Sequence, residues 1–357
     1  MKKRAFRSSE SRALHTHRSE QMLIEHFAAF EGDRVLCTTQ GRAQFAAVAT
    51  LRKPDREVTC HFLDLFRCEE SQRLHGDCGG RLHLVCTADF PEGDFDVVAL
   101  PFTKTGESEL VREFMQTGHR RLVEGGRLAV STDNADDSFF HEEMQKLFAK
   151  VTRIPDRRGV VYVGMKRGPL KRVRDFSSEF AFRDGERLLK IATRPGVFSH
   201  RKLDAGTRAL LEAVEISPGM KVLDIGCGAG PVAVALATRA EGVSVEAVDA
   251  NPRALACTER NCEFNGVTAV RTHLSAAGKC GVKGKLDLAA GNPPYFSHFR
   301  IAELFVASAH EALKRGGRAV FVTKQPEWFE EHMTPRFTDI TTRPVREYMV
   351  VSALKAE

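Results

Sequence analysis

Val222-Leu-Asp-Ile-Gly-Cys-Gly-Ala-Gly-Pro-Val-Ala-Val-Ala-Leu236 decides the fold of the second half of the chain. Val222 to Ile225 is a short, mainly apolar run of the length expected of a buried strand. Gly226, Gly228 and Gly230 alternate directly behind it, and a stretch rich in Ala, Val and Leu continues from Pro231 to about Arg239. Proline suits the first turn of a helix, where a backbone N–H has no intrahelical partner in any case. Strand, glycine turn and helix in that order are the opening unit of a parallel sheet covered by helices.

The same alternation continues on the C-terminal side. Val243–Val248 reads as a strand ending at Asp249, and Pro252–Asn265 as a helix that Asn251 can cap. Leu286–Ala290 is a buried strand. Ile301–Leu313 is helical, Gly316-Gly317 stops it, and Arg318–Thr323 is a further strand. The N-terminal half repeats the plan. Val35-Leu36-Cys37 runs toward Gly41, Val58–Leu63 ends at Asp64, and Phe95–Leu100 is a third strand. His119–Leu128 parallels His310–Ala319, and Asp96 stands as far before Gly125 as Asp287 stands before Gly316. Matched landmarks in one order imply an internal duplication. The expected fold is α/β, with two tandem Rossmann-like domains at 1–168 and 169–357. The boundary lies in the basic stretch around Gly168-Pro169. The first domain is degenerate: Cys37 stands at the place of Asp224, Thr39–Ala43 replaces the glycine run, and Pro101 stands where the second copy has Asn292.

Length and composition agree with two globular domains. The chain has 357 residues, 42% hydrophobic and 28% charged, which argues against wholesale disorder. No apolar run reaches the roughly 18–20 residues that span a bilayer. MKKRAFRSSESR has no apolar core behind its charges and does not read as a secretory signal. The expectation is a cytoplasmic monomer without membrane association. Nine scattered cysteines, with no CxxC pair, do not suggest a disulfide framework. Cys60, His61, Cys68, His75, Cys78, His83 and Cys86 are spaced more widely than paired zinc ligands, so they read as strand cysteines and loop histidines with no metal. The net charge of +6 and pI of about 8.8 suit a nucleic-acid partner. Lys2, Lys3, Arg4 and Arg7, and Lys166, Arg167, Lys171, Arg172 and Arg174, are either RNA contacts or solvated surface.

The chemistry falls in the second copy. Asp224, Gly226, Cys227, Gly228 and Gly230 form a GxGxG turn with an acid two residues before it. A pyrophosphate-binding turn is spaced GxGxxG, so this one suits a ligand without phosphate and disfavours a nicotinamide dehydrogenase. Asp249, followed by Ala250, ends the next strand, where a carboxylate can accept ribose hydroxyls. Asn292-Pro293-Pro294-Tyr295 follows the strand that ends at Ala290. The two prolines remove two amide donors. An amide oxygen and a bare carbonyl are left as acceptors for a planar NH2 group, with an aromatic face beside them.

These motifs resemble those of class I S-adenosylmethionine-dependent methyltransferases. The DIGCGAG run resembles the superfamily's cofactor loop, and NPPY resembles the motif of enzymes that methylate guanine-N2, adenine-N6 or glutamine-N5 amines. Adding Pro195-Gly196-Val197-Phe198-Ser199 and Leu203-Asp204-Ala205-Gly206, the chain is similar to the small-subunit methyltransferase C family of 16S-type rRNA guanine-N2 enzymes. The resemblance implies S-adenosylmethionine as cofactor and ribosomal RNA, in the small subunit or an assembly intermediate, as partner. It implies a first copy that supports RNA binding or folding. Asp224, Gly226, Cys227, Gly228, Gly230, Asp249, Ala250 and Asn292 would hold the cofactor. Asn292, Pro293, Pro294 and Tyr295 would act in catalysis, and Tyr295 and Phe198 would contact the base. The family usually has Phe where this chain has Tyr295, and Leu274-Ser275-Ala276-Ala277 offers no acid or Asn for the adenine amine. A glutamine or adenine amine, and a non-catalytic RNA-binding or ribosome assembly role, are the competing readings.

Overall fold

The computed structural model describes residues 16–27, 32–294 and 299–356. They fall into two compact units. One comprises the chain up to Phe62, Arg67–Val85 and Phe90–Arg174; the other comprises Leu63–Phe66, Cys86–Asp89 and Asp175–Glu357.

In the first unit, β1 (Arg34–Thr38), β2 (Glu57–Phe62), β3 (Leu82–Cys86), β4 (Phe95–Phe102), β5 (Leu122–Thr132), β6 (Val151–Asp156) and β7 (Gly159–Met165) form one sheet in the order 3-2-1-4-5-7-6. Its helices are α1 (Arg18–His26), α2 (Gln44–Leu51), α3 (Leu65–His75), α4 (Ser108–Arg121) and α5 (Phe139–Leu147). The second unit opens with a hairpin, β8 (Ser178–Asp184) and β9 (Arg187–Thr193), followed by α6 (Ala205–Ala213). Then come β10 (Lys221–Ile225), α7 (Pro231–Arg239), β11 (Ser244–Asp249), α8 (Pro252–Phe264), β12 (Val270–Leu274), β13 (Leu286–Gly291), α9 (Arg300–Ala312), β14 (Leu313–Thr323), α10 (Pro326–Met333), β15 (Phe337–Val345) and β16 (Tyr348–Lys355). Its sheet order, 12-11-10-13-14-16-15, repeats that of the first unit strand for strand.

The central strands are buried on both faces, as their unbroken apolar runs require. Val222, Leu223, Ala289 and Ala290 are inaccessible or nearly so, as are Leu36, Cys37, Val98 and Ala99 in the other sheet. Parallel pairing of β10 with β11 and β13 brings the C-terminal ends of all three to one edge. Ligand sites of open α/β sheets lie at that edge.

The expected helix stop at Gly316-Gly317 is corrected by the structure. α9 ends at Ala312, and both glycines lie inside β14. Leu286 pairs with Leu313, but Leu288 pairs with Arg318, so four residues bulge out of the ladder between them. The first unit has the same bulge, with Phe95 on Leu122 and Val97 on Arg127. A lysine at the end of β7 or β16 closes each: Lys166, directly after β7, donates from Nζ to the Leu122 carbonyl at 2.6 Å, and Lys355, the last residue of β16, to the Leu313 carbonyl at 2.8 Å. Lys166, one of the basic residues offered for RNA, thus has its ammonium group in the framework.

The two glycines of a bulge are not equivalent. Gly316 has φ +69° and open space where a Cβ would stand, whereas a Cβ on Gly317 would lie 2.9 Å from the Lys314 carbonyl and 3.0 Å from that of Leu286. Backbone atoms cannot swing aside. Gly316→Ala should cost about 1 kcal/mol through left-handed strain, and Gly317→Ala about 2–3 kcal/mol through overpacking. Urea titration of the two variants checks the order.

Candidate active site

The glycine loop after β10 is held on every side. The N–H groups of Gly226 and Cys227 donate to the Val248 carbonyl at 2.8 and 3.0 Å, and that of Gly228 donates to Asp249 Oδ2 at 2.9 Å. From α8, Thr258 Oγ1 donates to the Gly228 carbonyl at 3.0 Å and Asn261 Nδ2 to the Ala229 carbonyl at 2.8 Å. All three glycines have positive φ. A Cβ on Gly230 would stand 2.7 Å from Thr258, so that position is closed by packing. A Cβ on Gly228 would meet only Phe198, at 4.0 Å, because this residue faces the cleft.

That cleft opens between Phe198, Asp204, Thr207, Asp224, Gly228 and Asn292. Asp224 is 2% exposed, and its Oδ2 accepts the Ala233 N–H at 3.0 Å. Burial, with a smaller contribution from the charge of Asp249, pushes its carboxyl up to about 7. Asp249 is raised as well, mainly by burial, although its oxygens accept the N–H groups of Gly228 and Asn251. Asn251 caps α8 as expected, its Oδ1 accepting the Arg253 N–H at 2.9 Å. Its Nδ2 also donates to the Gly196 carbonyl at 2.7 Å, tying the Pro195–Ser199 segment to the site. The Cys227 thiol is buried beside Thr258 and raised well above the usual thiol range by burial, so Cys227 lines the cleft without a reactive thiolate. Ala250 follows Asp249, half-exposed, in the turn into α8.

Gly291 and Asn292 follow the same logic. A Cβ on Gly291 would come within 2.8 Å of the Phe305 ring, which also packs under Gly226. Asn292 is half-buried; its Nδ2 donates to Asp204 Oδ2 at 2.9 Å and lies 3.3 Å from Thr207 Oγ1. Pro293 is buried and Pro294 half-buried. Tyr295 lies outside the described residues. Phe198 is 63% exposed on the cleft rim, so it is not a core residue. Ser199 and Arg201, in the same segment, both adopt positive φ.

Sequence reasoning missed three contributors. Asp204 enters only through the Leu203-Asp204-Ala205-Gly206 resemblance, and Thr207 carries no signal of its own. The hairpin was unread; Asn261 binds the N–H and carbonyl of Ala192 in β9 at 2.7 and 2.8 Å, and Asp184 pairs with Arg239 of α7 at 2.7 Å. An Asn facing a hairpin 69 residues away leaves no local signal.

In the first unit the corresponding loop is filled from within. Shared register places Cys37 where the second unit has Asp224, and Pro101, still inside β4, where it has Asn292. The fully buried Glu20 of α1 accepts the Phe45 N–H at 3.0 Å and the Thr39 hydroxyl, its carboxyl raised by burial. Gln40 Nε2 donates to the Pro101 carbonyl at 2.9 Å. Cys37 and Cys60 face each other on β1 and β2, both buried. Among the described residues no group of three or more His, Cys, Asp or Glu is placed to hold a metal ion. Nor is any described helix long and apolar enough to cross a membrane.

Sheet order and loop geometry define the second unit as a class I methyltransferase fold, and residues 188–352 match the family model of the methyltransferase small domain. The chain resembles, more narrowly, proteins named ribosomal RNA small subunit methyltransferase C. Those of Hahella chejuensis and Chromohalobacter salexigens are 34% and 37% identical over 155 residues, about 40% of this chain and 45% of each relative. The chain thus aligns with less than half the length of these two. That of Shewanella loihica is 26% identical over 310 residues, covering 83% of this chain and 86% of the relative. Among solved structures, the T. thermophilus 16S rRNA N2 G1207 methyltransferase, in complex with AdoMet and guanosine, superposes with a TM-score of 0.78. It is 20% identical and covers 96% of this chain and 93% of that one, which establishes a common two-domain fold.

Two measurements probe the site's construction. Asn261→Ala removes three hydrogen bonds of a fully buried amide and strands its partners. A loss of about 2–4 kcal/mol in chemical denaturation is expected. Asp224 ionises near pH 4 in the unfolded chain but near 7 when folded. Between those values the folded state keeps a proton that the unfolded chain has lost, so stability falls as pH rises from about 4 to 7, by up to about 4 kcal/mol, and then levels. Asp224→Asn keeps the acceptor for Ala233. Urea midpoints between pH 5 and 8 should fall for the native chain and run flatter for the variant.

Proposed function

We propose that the chain transfers the methyl group of S-adenosylmethionine to the exocyclic N2 amine of a guanine in small-subunit ribosomal RNA. The observation that carries this reading is the orientation of Asn292. Its NH2 group is turned into the protein toward Asp204 and Thr207, so its oxygen is the atom left to meet an incoming amine.

The cleft suits the cofactor. Gly228 leaves open the space a Cβ would take, and Asp249 stands at the strand end with its carboxylate beside the loop. Asp224 is a buried acid and Asp249 a half-buried one, both raised by desolvation, and a cationic ligand offsets that cost by holding them ionised. Asp224, Gly226, Cys227, Gly228, Gly230, Asp249, Ala250 and Asn292 are the residues assigned to it. The bound sulfonium supplies a methyl group that is already activated.

The task left to the protein is alignment. Asn292 Oδ1 and the Pro293 carbonyl accept the two N–H bonds of the amine, which favours a pyramidal nitrogen and stabilises the positive charge that develops there. Pro293 and Pro294 keep the carbonyls free of competing N–H groups. Tyr295, and Phe198 from the exposed rim, offer faces against which an extruded base stacks. No general base is needed, since the proton becomes acidic as the nitrogen is alkylated.

The catalytic domain is assigned to 169–357 and a supporting role in RNA binding or folding to the first domain, 1–168. The partner is ribosomal RNA in the small subunit or an assembly intermediate, met by a monomer in the cytoplasm. Asn292→Ala should lower methyl transfer to rRNA by about 100-fold or more while leaving S-adenosylmethionine affinity within a few-fold. Tritium transfer and isothermal titration measure the two. Nucleoside mass spectrometry of the product should show N2-methylguanosine. N6-methyladenosine would move the substrate to adenine, and native turnover by the variant would remove Asn292 from the reaction.

A further inference from the structure

Asp204 has a local duty that is easily taken for its only one. It is the N-cap of α6, and its Oδ2 accepts the Thr207 N–H at 3.0 Å. The same Oδ2 also receives Asn292 Nδ2, from a loop 88 residues away in sequence, at 2.9 Å. Thr207, one turn into the helix, lies with its Oγ1 3.3 Å from that nitrogen. The assignment of oxygen and nitrogen in the amide is forced, because an ionised carboxylate can only accept. With both Nδ2 hydrogens provided with acceptors, the face of Asn292 left for a ligand is its carbonyl oxygen.

The surrounding packing keeps this arrangement tight. A Cβ on Gly206 would lie 3.0 Å from Asp204 Oδ2 and 3.1 Å from each of the two Asn292 amide atoms, so a side chain there would press the amide a few tenths of an ångström from its place against the helix. The pairing also changes the amide electronically. A carboxylate hydrogen-bonded to the NH2 end draws that dipole into line and makes the oxygen a stronger acceptor. It also places a negative charge behind the group that meets the developing cation.

We infer that Asp204 and Thr207 are positioning residues that fix the polarity of the Asn292 amide, making the site one that receives an N–H donor. The inference rests on the amine-methylating reading above. It assigns α6 a part in that reaction beyond capping and covering the sheet.

The test must separate the contact with Asn292 from the cap. Asp204→Ser keeps a good N-cap, but its hydroxyl is too short to hold the amide as well. Thr207→Val keeps the size and the N–H while losing Oγ1. Asp204→Asn retains an acceptor oxygen and serves as the conservative rescue, as does Thr207→Ser for the second position. In protein labelled with 15N-asparagine, the Asn292 side-chain pair is identified by its absence from Asn292→Asp. Asp204→Ser should shift that pair and speed its exchange with solvent while the melting temperature stays close to that of the native chain. In rRNA methylation, kcat should fall about 10- to 100-fold with KM and S-adenosylmethionine affinity within about 3-fold. Thr207→Val should show a smaller loss, Thr207→Ser should recover most of the rate, and Asp204→Asn, which keeps the acceptor without the charge, should recover part of it. An Asn292 pair unmoved by Asp204→Ser, or native kcat in that variant, overturns the inference. If the native chain methylates no RNA while the Asn292 pair still responds to Asp204→Ser, the proposed function fails and the positioning role stands.

Discussion

A turn built on three left-handed glycines keeps its shape only if its backbone groups find partners. Here they come from two directions. Asp249 and the Val248 carbonyl at the end of β11 take the N–H groups, and Thr258 and Asn261 of α8 take the carbonyls. The loop is thereby a rigid joint between the end of β10 and the start of α7. Because β10 pairs in parallel with β13, the joint also fixes where Gly291 and Asn292 emerge. Phe305 completes the arrangement by filling the space beneath both glycine positions, 226 and 291.

Comparison of the two units separates what the fold needs from what the chemistry needs. Strand order, the four-residue bulge and the lysine that closes it are present in both. The first unit has lost the acid at position 37 and the glycine run, and it answers the same backbone demand differently. Glu20 supplies the acceptor for the loop, and Gln40 supplies a donor to the carbonyl of Pro101. That amide donor ties the first unit's loop to β4 at the position that corresponds to Asn292.

Much of the fold was legible because its signals are local. An apolar run, alternating glycines and a helix-opening proline announce one βα unit, and the repeat of such units announces the sheet. The glycines at 316 and 317 misled because a pair of glycines after a helical pattern normally ends the helix. Here α9 had already ended at Ala312, and the pair serves a strand bulge with one member shaped by φ and the other by crowding. At the site, Asp224, Asp249 and Asn292 stood out because each lies at a strand end beside a turn. Asp204, Thr207 and Asn261 did not, since their partners are 69 to 88 residues distant and an N-cap aspartate or a helical asparagine looks ordinary. Phe198 differs from these: sequence gives an aromatic its size but not its exposure, and only the structure sets this one on the cleft rim.

The buried carboxylate of Glu20 has a consequence for how the protein responds to metabolite supply. A domain with a ligand gains stability by mass action as the ligand accumulates. Assigned to S-adenosylmethionine, the second unit is subject to that gain and to its loss when the pool is depleted. The first unit's loop takes its acceptor from Glu20, a side chain of its own helix, so the support of that loop does not depend on the concentration of any ligand.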